Sequence, residues 1–314
     1  MVSDDDEFVR YRRLTDDDVD WSDHWNRIYV DQVTKEKVVN YGLIEAALGE
    51  VDQLTFSQHS TVLLYGPPGT GKTSLARGAG HVLAKRLPLD NLGLDHVSFK
   101  QLRVKNLLSS DHGDTPDLVQ AAFDRIKEGA QQGHTFQIVL LDEVESLFSD
   151  RSLLGETDPM DAIRAVNTAL ENLDDLAHLD NVYVIATSNQ PGAVDRAFLD
   201  RTDEQLHLGL PGSDHRESIV TDVLVDLRES VGLELSLSDD QRDTLVELSE
   251  GMSGRRLRKT FLSTLTRDAR LVADPSALTF DDLAAEFERQ RRQTADRAGE
   301  YITQGPAKEV SGDD

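Results

Sequence analysis

Apolar and polar positions alternate along this chain in two regimes. In the first, short unbroken apolar runs (TVLLYG at 61–66, HVSFK at 96–100, QIVLLDE at 137–143 and NVYVIATSN at 181–189) are separated by segments with a helical stripe. Those segments are VVNYGLIEAAL (38–48), SLARGAGHVLAKRL (74–87), PDLVQAAFDRIKEGA (116–130) and DAIRAVNTALENL (161–173). Strands that are apolar on both faces, alternating with amphipathic helices, predict a parallel sheet covered on both sides. After Pro211-Gly212 the strand signal ends, and residues 214–229, 239–250, 254–273 and 280–293 all carry a helical pattern. Ser238 with Gln241 predicts a capping box, and Thr279 with Asp282 approximates a second. The expected organisation is an acidic N-terminal segment (1–25), an α/β domain (26–211), a small all-α domain (212–294) and a polar, disordered tail (295–314). In the first segment Trp21 and Trp25 stand four residues apart, on one face of a helix, and are expected to pin it to the main domain or to dock a partner.

The strand ends carry the candidate chemistry. Gly66-Pro67-Pro68-Gly69-Thr70-Gly71-Lys72-Thr73 fits G-x-x-x-x-G-K-[ST] and stands where that phosphate loop belongs, between a buried strand and a helix. Glycines allow the backbone to wrap a phosphate with its amides pointing inward, and the helix dipole adds positive potential. Lys72 is expected on the β- and γ-phosphates, the Thr73 hydroxyl on Mg²⁺, and Ser74 completes the phosphate-binding run. The strand 137–141 delivers Asp142 and Glu143 to the same edge, Asp142 for Mg²⁺ and Glu143 for polarising the attacking water. Asn189 ends the next strand, where it can position that water or sense the γ-phosphate. In DRAFLDRTD two arginines, Arg196 and Arg201, are candidates for a finger acting on a neighbouring subunit's nucleotide, with Arg201 preferred. Arg255, in GMSGRRLRK, is the candidate for a contact from the helical domain, while Arg256 and Arg258 read as surface or interface.

Composition narrows the classes. Acidic residues outnumber basic ones 58 to 33, giving a net charge of −25, and only nine of the basic residues are Lys. Such a surface repels nucleic-acid phosphates, and an acid-rich, Lys-poor composition spread along the chain suits a salt-rich cytoplasm. With no cysteine and no metal-spaced histidines, disulfides, thiolate chemistry and a protein-bound zinc or iron site are not expected. No apolar run approaches the ~20 residues of a membrane span, and the acidic start MVSDDDEFVR does not resemble a secretory signal. The expected protein is soluble and cytoplasmic.

The runs GPPGTGKTSL, LLDEVESL, DAIRAVN, ATSN, DRAFLDRTD and GMSGRRLRK resemble those of the pachytene checkpoint ATPases, the thyroid-hormone-receptor-interacting branch of the AAA+ proteins. The resemblance runs from about Asn26 to about Leu265. It implies a homo-oligomeric ring, usually a hexamer, with Mg·ATP between subunits and HORMA-like protein substrates opened by pulling through the pore. By motif position it implies Walker roles for Lys72, Thr73, Asp142 and Glu143, sensor 1 for Asn189, the finger for Arg201 and sensor 2 for Arg255. Eukaryotic members carry a substantial N-terminal domain where this chain has residues 1–25, and shorter members occur in prokaryotic antiphage gene clusters. The pore-loop stretch LRVKNLLSSDHGD lacks the usual aromatic and offers Leu107 and Leu108 in its place. Residues 150–159 either form a second pore loop or a solvated loop. Two other readings stay open: a nucleotide-gated scaffold, and a nucleic-acid-associated AAA+ protein, the latter opposed by the charge and by the lack of an added DNA-binding domain.

Overall fold

A computed structural model describes residues 9–14, 22–48, 59–102, 104–107, 115–131, 134–148 and 160–303. Trp21, Leu108 and residues 150–159, singled out above, lie outside the described residues. The chain divides into two compact units between Gly209 and Leu210, beside Pro211 in sequence.

The first unit is built on a six-stranded sheet. Its strands are β1 (Val9–Arg13), β2 (Thr61–Tyr65), β3 (His96–Leu102), β4 (Thr135–Leu141), β5 (Val182–Ser188) and β6 (Glu204–His207), in the order β1-β3-β4-β5-β2-β6. All neighbours are parallel except β1, which runs antiparallel along β3 with Val9 opposite Leu102. The central strands β4 and β5 are buried at every position, which is why they read as unbroken apolar runs. Strand parity divides the core. Val97, Phe99, Ile138, Leu140 and Ile185 face a layer containing Val38 and Val39 of helix α2 (Gln32–Leu48) and Leu75, Ala79 and Leu83 of α3 (Lys72–Arg86). Leu102, Val139, Leu141, Val184 and Ala186 face Phe123 and Ile126 of α5 (Thr115–Gln131) and Val166, Leu170 and Leu173 of α6 (Met160–Ala177). Each Val, Leu, Ile or Phe among them contributes about 1.5–3 kcal/mol of burial, so two filled layers hold the strand ends in fixed register.

The edges of the sheet differ from expectation. β1 and β6 are strands that the periodicity did not announce, because VRYRR and EQLH are short and charged. The described parts of the segment before Asn26, residues 9–14 and 22–25, pack on the first unit. Val9 is buried, Leu14 donates its amide to Val97 O, and Trp25, in the short helix α1 (Ser22–Asn26), packs over Gly78 of α3. Lys35 Nζ lies 5.1 Å above the Trp25 ring and donates to Trp25 O. Leu107, at the end of the short helix α4 (Val104–Leu107), is fully buried in the α5/α6 layer. It is consumed by packing and is not a gripping residue.

The second unit comprises α8 (Ser213–Val231), α9 (Asp239–Leu248), α10 (Gly254–Arg267), α11 (Ala269–Ala273) and α12 (Phe280–Thr303), numbered after α7 (Arg196–Leu199) of the first unit. Both predicted caps form: Ser238 and Gln241 exchange backbone–side-chain bonds, as do Thr279 and Asp282. The expected helix 254–273 is broken at Asp268, whose extended backbone ends α10 and whose carboxylate caps α11 at Arg270 N. α12 runs to Thr303, past the expected limit of 294, through Arg, Gln, Ala and Glu, all good helix formers. No helix among the described residues is long and apolar enough to cross a membrane.

Candidate nucleotide site

The phosphate loop springs from β2 and turns into α3. Gly66 has φ +144, and a Cβ there would lie 2.2 Å from Leu208 O, so only glycine lets the loop leave the sheet against the β6 end. Its amide is tied to Ser188 O at the end of β5. Gly71 stands at the N-cap of α3 with φ +102 and no side-chain cap. The first turn of the helix therefore meets the loop with uncapped amides, the arrangement that favours an anion. Thr70 braces the loop by donating to Pro67 O at 3.0 Å. Lys72 is buried, and its Nζ donates to Gly66 O and Pro67 O at 2.8 and 2.9 Å. Pro68, Gly69 and Ser74 complete the run, Ser74 in the first turn of α3.

Asp142 follows β4 and is the hub of the crevice. Its Oδ1 accepts from Thr73 Oγ1 at 2.9 Å and from Thr187 Oγ1 at 2.6 Å; its Oδ2 accepts from Gln101 Nε2 at 3.3 Å. Glu143 has left-handed backbone (φ 59, ψ 55), a conformation that costs a non-glycine residue about 1–2 kcal/mol. The turn is held because Glu143 N donates to Thr187 Oγ1 at 3.1 Å. Asn189 Nδ2 then reaches Glu143 Oε1 at 3.4 Å, and Asn189 N donates to Glu145 Oε1 at 3.1 Å. Thr187, Glu145 and Gln101 escape a reading of the sequence. Thr187 stands inside ATSN, but nothing in that run says its hydroxyl bridges two strand ends.

Arg201, just beyond α7, is held by α6. Its Nε and Nη2 donate to the two oxygens of Asp174 at 2.6 and 2.7 Å, and Nη1 donates to Ala197 O at 2.9 Å. The guanidinium holds the Asp174 carboxyl below its ordinary range, and Asp174 raises Arg201 in return. Arg196, the other arginine of the run, is exposed on α7. Arg255 is exposed on the first turn of α10, in the second unit.

This crevice suits a nucleoside triphosphate with a divalent cation. The loop presents backbone amides and one buried ammonium, and Thr73 and Asp142 bring together the hard oxygen donors that Mg²⁺ prefers. Residues 62–210 match the family described as "ATPase family associated with various cellular activities (AAA)". CD-NTase-associated protein 6 of Pseudomonas aeruginosa is 36% identical over 278 residues, covering 86% of this chain and 88% of the relative. A putative pachytene checkpoint protein 2 of Caenorhabditis elegans is 34% identical over 212 residues, 67% of this chain and 49% of the relative. The chain belongs to the pachytene checkpoint-type AAA+ ATPases. It spans about half the length of the worm member and most of the bacterial one. The fold of this AAA+ ATPase is also that of a chain in the structure of the E. coli MS115-1 HORMA:CdnC:Trip13 complex. The TM-score is 0.69 over 89% of this chain and 94% of that one, at 18% identity.

Proposed function

We propose that this AAA+ ATPase works as a homo-oligomeric ring, a hexamer, that hydrolyses Mg·ATP to remodel a HORMA-like protein. The observation that carries the catalytic reading is the meeting of Thr73, in the first turn of α3, with Asp142, Thr187, Glu143 and Asn189 at adjoining strand ends beside the buried Lys72. In this reading the loop 66–71 and Ser74 bind the phosphates and Lys72 neutralises the β- and γ-phosphoryl oxygens. Thr73 and Asp142 would hold Mg²⁺, which supplies charge neutralisation at the triphosphate. Glu143, turned into the crevice by its left-handed backbone, orients the attacking water and takes its proton, with Asn189 steadying the carboxylate. Arg201 acts on the nucleotide of the neighbouring subunit, and Arg255 senses nucleotide from the helical unit.

The choice of partner rests on likeness to proteins named for it: the Trip13 complex contains a HORMA protein, and the 36%-identical relative is a CD-NTase-associated protein. Composition supports work in a salt-rich cytoplasm. The test is a substrate trap. Glu143→Gln should bind ATP, hydrolyse it negligibly and stay assembled, so that a HORMA-like protein from the host lysate co-purifies with it in ATP. Lys72→Ala, unable to bind nucleotide, is the matching blank. Normal turnover in Glu143→Gln would remove the catalytic assignment. A trap loaded with DNA, or with nothing beyond the Lys72→Ala blank, would remove the HORMA-like substrate.

A further inference from the structure

Asp142 is held from two sides by one helix face. Thr73 and Arg77 stand four residues apart on α3, so their side chains share a face. Thr73 reaches Asp142 Oδ1 directly. Arg77 reaches the other oxygen through an intermediary: its Nη2 donates to Gln101 Oε1 at 2.7 Å, and Gln101 Nε2 donates to Asp142 Oδ2 at 3.3 Å. Parity places Gln101 there. Val97, Phe99 and Gln101 alternate onto the α3 side of β3, as Ile138, Leu140 and Asp142 do on the neighbouring β4 segment.

A glutamine amide can face either way, and its partner decides. Arginine has donors only, so Arg77 takes the carbonyl end of Gln101 and leaves the NH₂ end for the carboxylate. A neutral donor on Oδ2 fixes the plane of Asp142 without bringing a cation against it. Arg77 thus acts at one remove, where a direct Arg–Asp pair would compete with a metal for the carboxylate.

We propose that Gln101 is a positioning residue for the Mg²⁺ ligand Asp142, with Arg77 setting the direction of its amide. The inference rests on the metal role of Asp142 proposed above. Partners of this kind carry about 10–100-fold in metal affinity.

The test is Mn²⁺ binding, read by electron paramagnetic resonance on protein loaded with a non-hydrolysable ATP analogue. Gln101→Leu should weaken Mn²⁺ by about tenfold, while nucleotide affinity in EDTA and the melting temperature stay at wild-type values. Arg77→Ala should weaken Mn²⁺ in the same direction, and the double variant should be no worse than Gln101→Leu alone, because Arg77 works through the amide. Unchanged Mn²⁺ binding in Gln101→Leu, or two losses that multiply, would overturn the proposal. Asp142→Asn separates the two layers. Wild-type Mn²⁺ binding in that variant would overturn the metal assignment itself, whereas loss there with none in Gln101→Leu would overturn only the positioning role.

Discussion

At the scale of single residues the crevice is a set of short-range constraints. Glu143 pays a local conformational cost that the Thr187 hydroxyl helps to offset, and the result aims its carboxylate toward Asn189. Arg201 is held differently. Asp174 grips the Nε/Nη2 edge of the guanidinium and Ala197 O takes one Nη1 proton, so N–H groups remain for a phosphoryl oxygen. On the proposed finger role, Arg201→Ala should lower kcat about a thousandfold while nucleotide affinity changes little. Steady-state turnover and fluorescent-nucleotide binding separate the two. If the finger acts between subunits, mixing Arg201→Ala with Lys72→Ala protein should restore turnover at the sites where an intact loop meets an intact finger. A mixture as inactive as its parts would argue against action in trans.

At the scale of elements, the helical unit is pinned at one buried carboxylate. Glu286 of α12 is fully buried and accepts from Ser263 and Arg267 of α10 and from Arg289 and Gln290 of its own helix. Burial alone would raise its pKa, but the bonds from Arg289, Gln290 and Ser263 outweigh it and bring the value down to about 2. A carboxyl depressed in the folded state stabilises fully above its unfolded value of 4.5 and loses that contribution as pH falls toward 2. Glu286→Ala should cost about 1–2 kcal/mol at pH 7, because Arg267 and Arg289 are partly exposed and water screens the charges left behind, and its deficit relative to wild type should shrink as pH falls from 4.5 toward 2. Chemical denaturation across that range measures it; a pH-independent difference would show that the carboxylate's charge is not what counts. The two caps of this unit were legible in the sequence because each joins residues three apart. The Glu286 cluster was not, since it joins α10 to α12 across 19–23 residues.

At the scale of the whole molecule, the charge of −25 is a long-range term that no single bond offsets. Self-repulsion over a surface is screened as the Debye length falls from about 10 Å in 0.1 M salt to about 3 Å in 1 M. The melting temperature should accordingly rise by roughly 5 °C or more between 0.1 and 2 M KCl, measured by circular dichroism. A flat or falling curve would mean that the acidic excess is balanced locally and would remove the salt-rich setting proposed on composition.

Patterns confined to neighbouring residues were determined by the sequence itself. The octet from Gly66 to Thr73, the apolar runs of β2, β4 and β5 with Asp142, Glu143 and Asn189 at their ends, and the change to helices after Pro211-Gly212 depend on local spacing. Tertiary structure alone decided which distant side chains share an oxygen. It placed Gln101, Thr73 and Thr187 on Asp142 from β3, α3 and β5, paired Arg201 with Asp174, drew β1 onto the edge of the sheet and buried Leu107. The physical reason is common to all of these. A hydrogen bond or a packing contact between residues far apart in the chain depends on strand order and register, which the two filled core layers set and which no local spacing records.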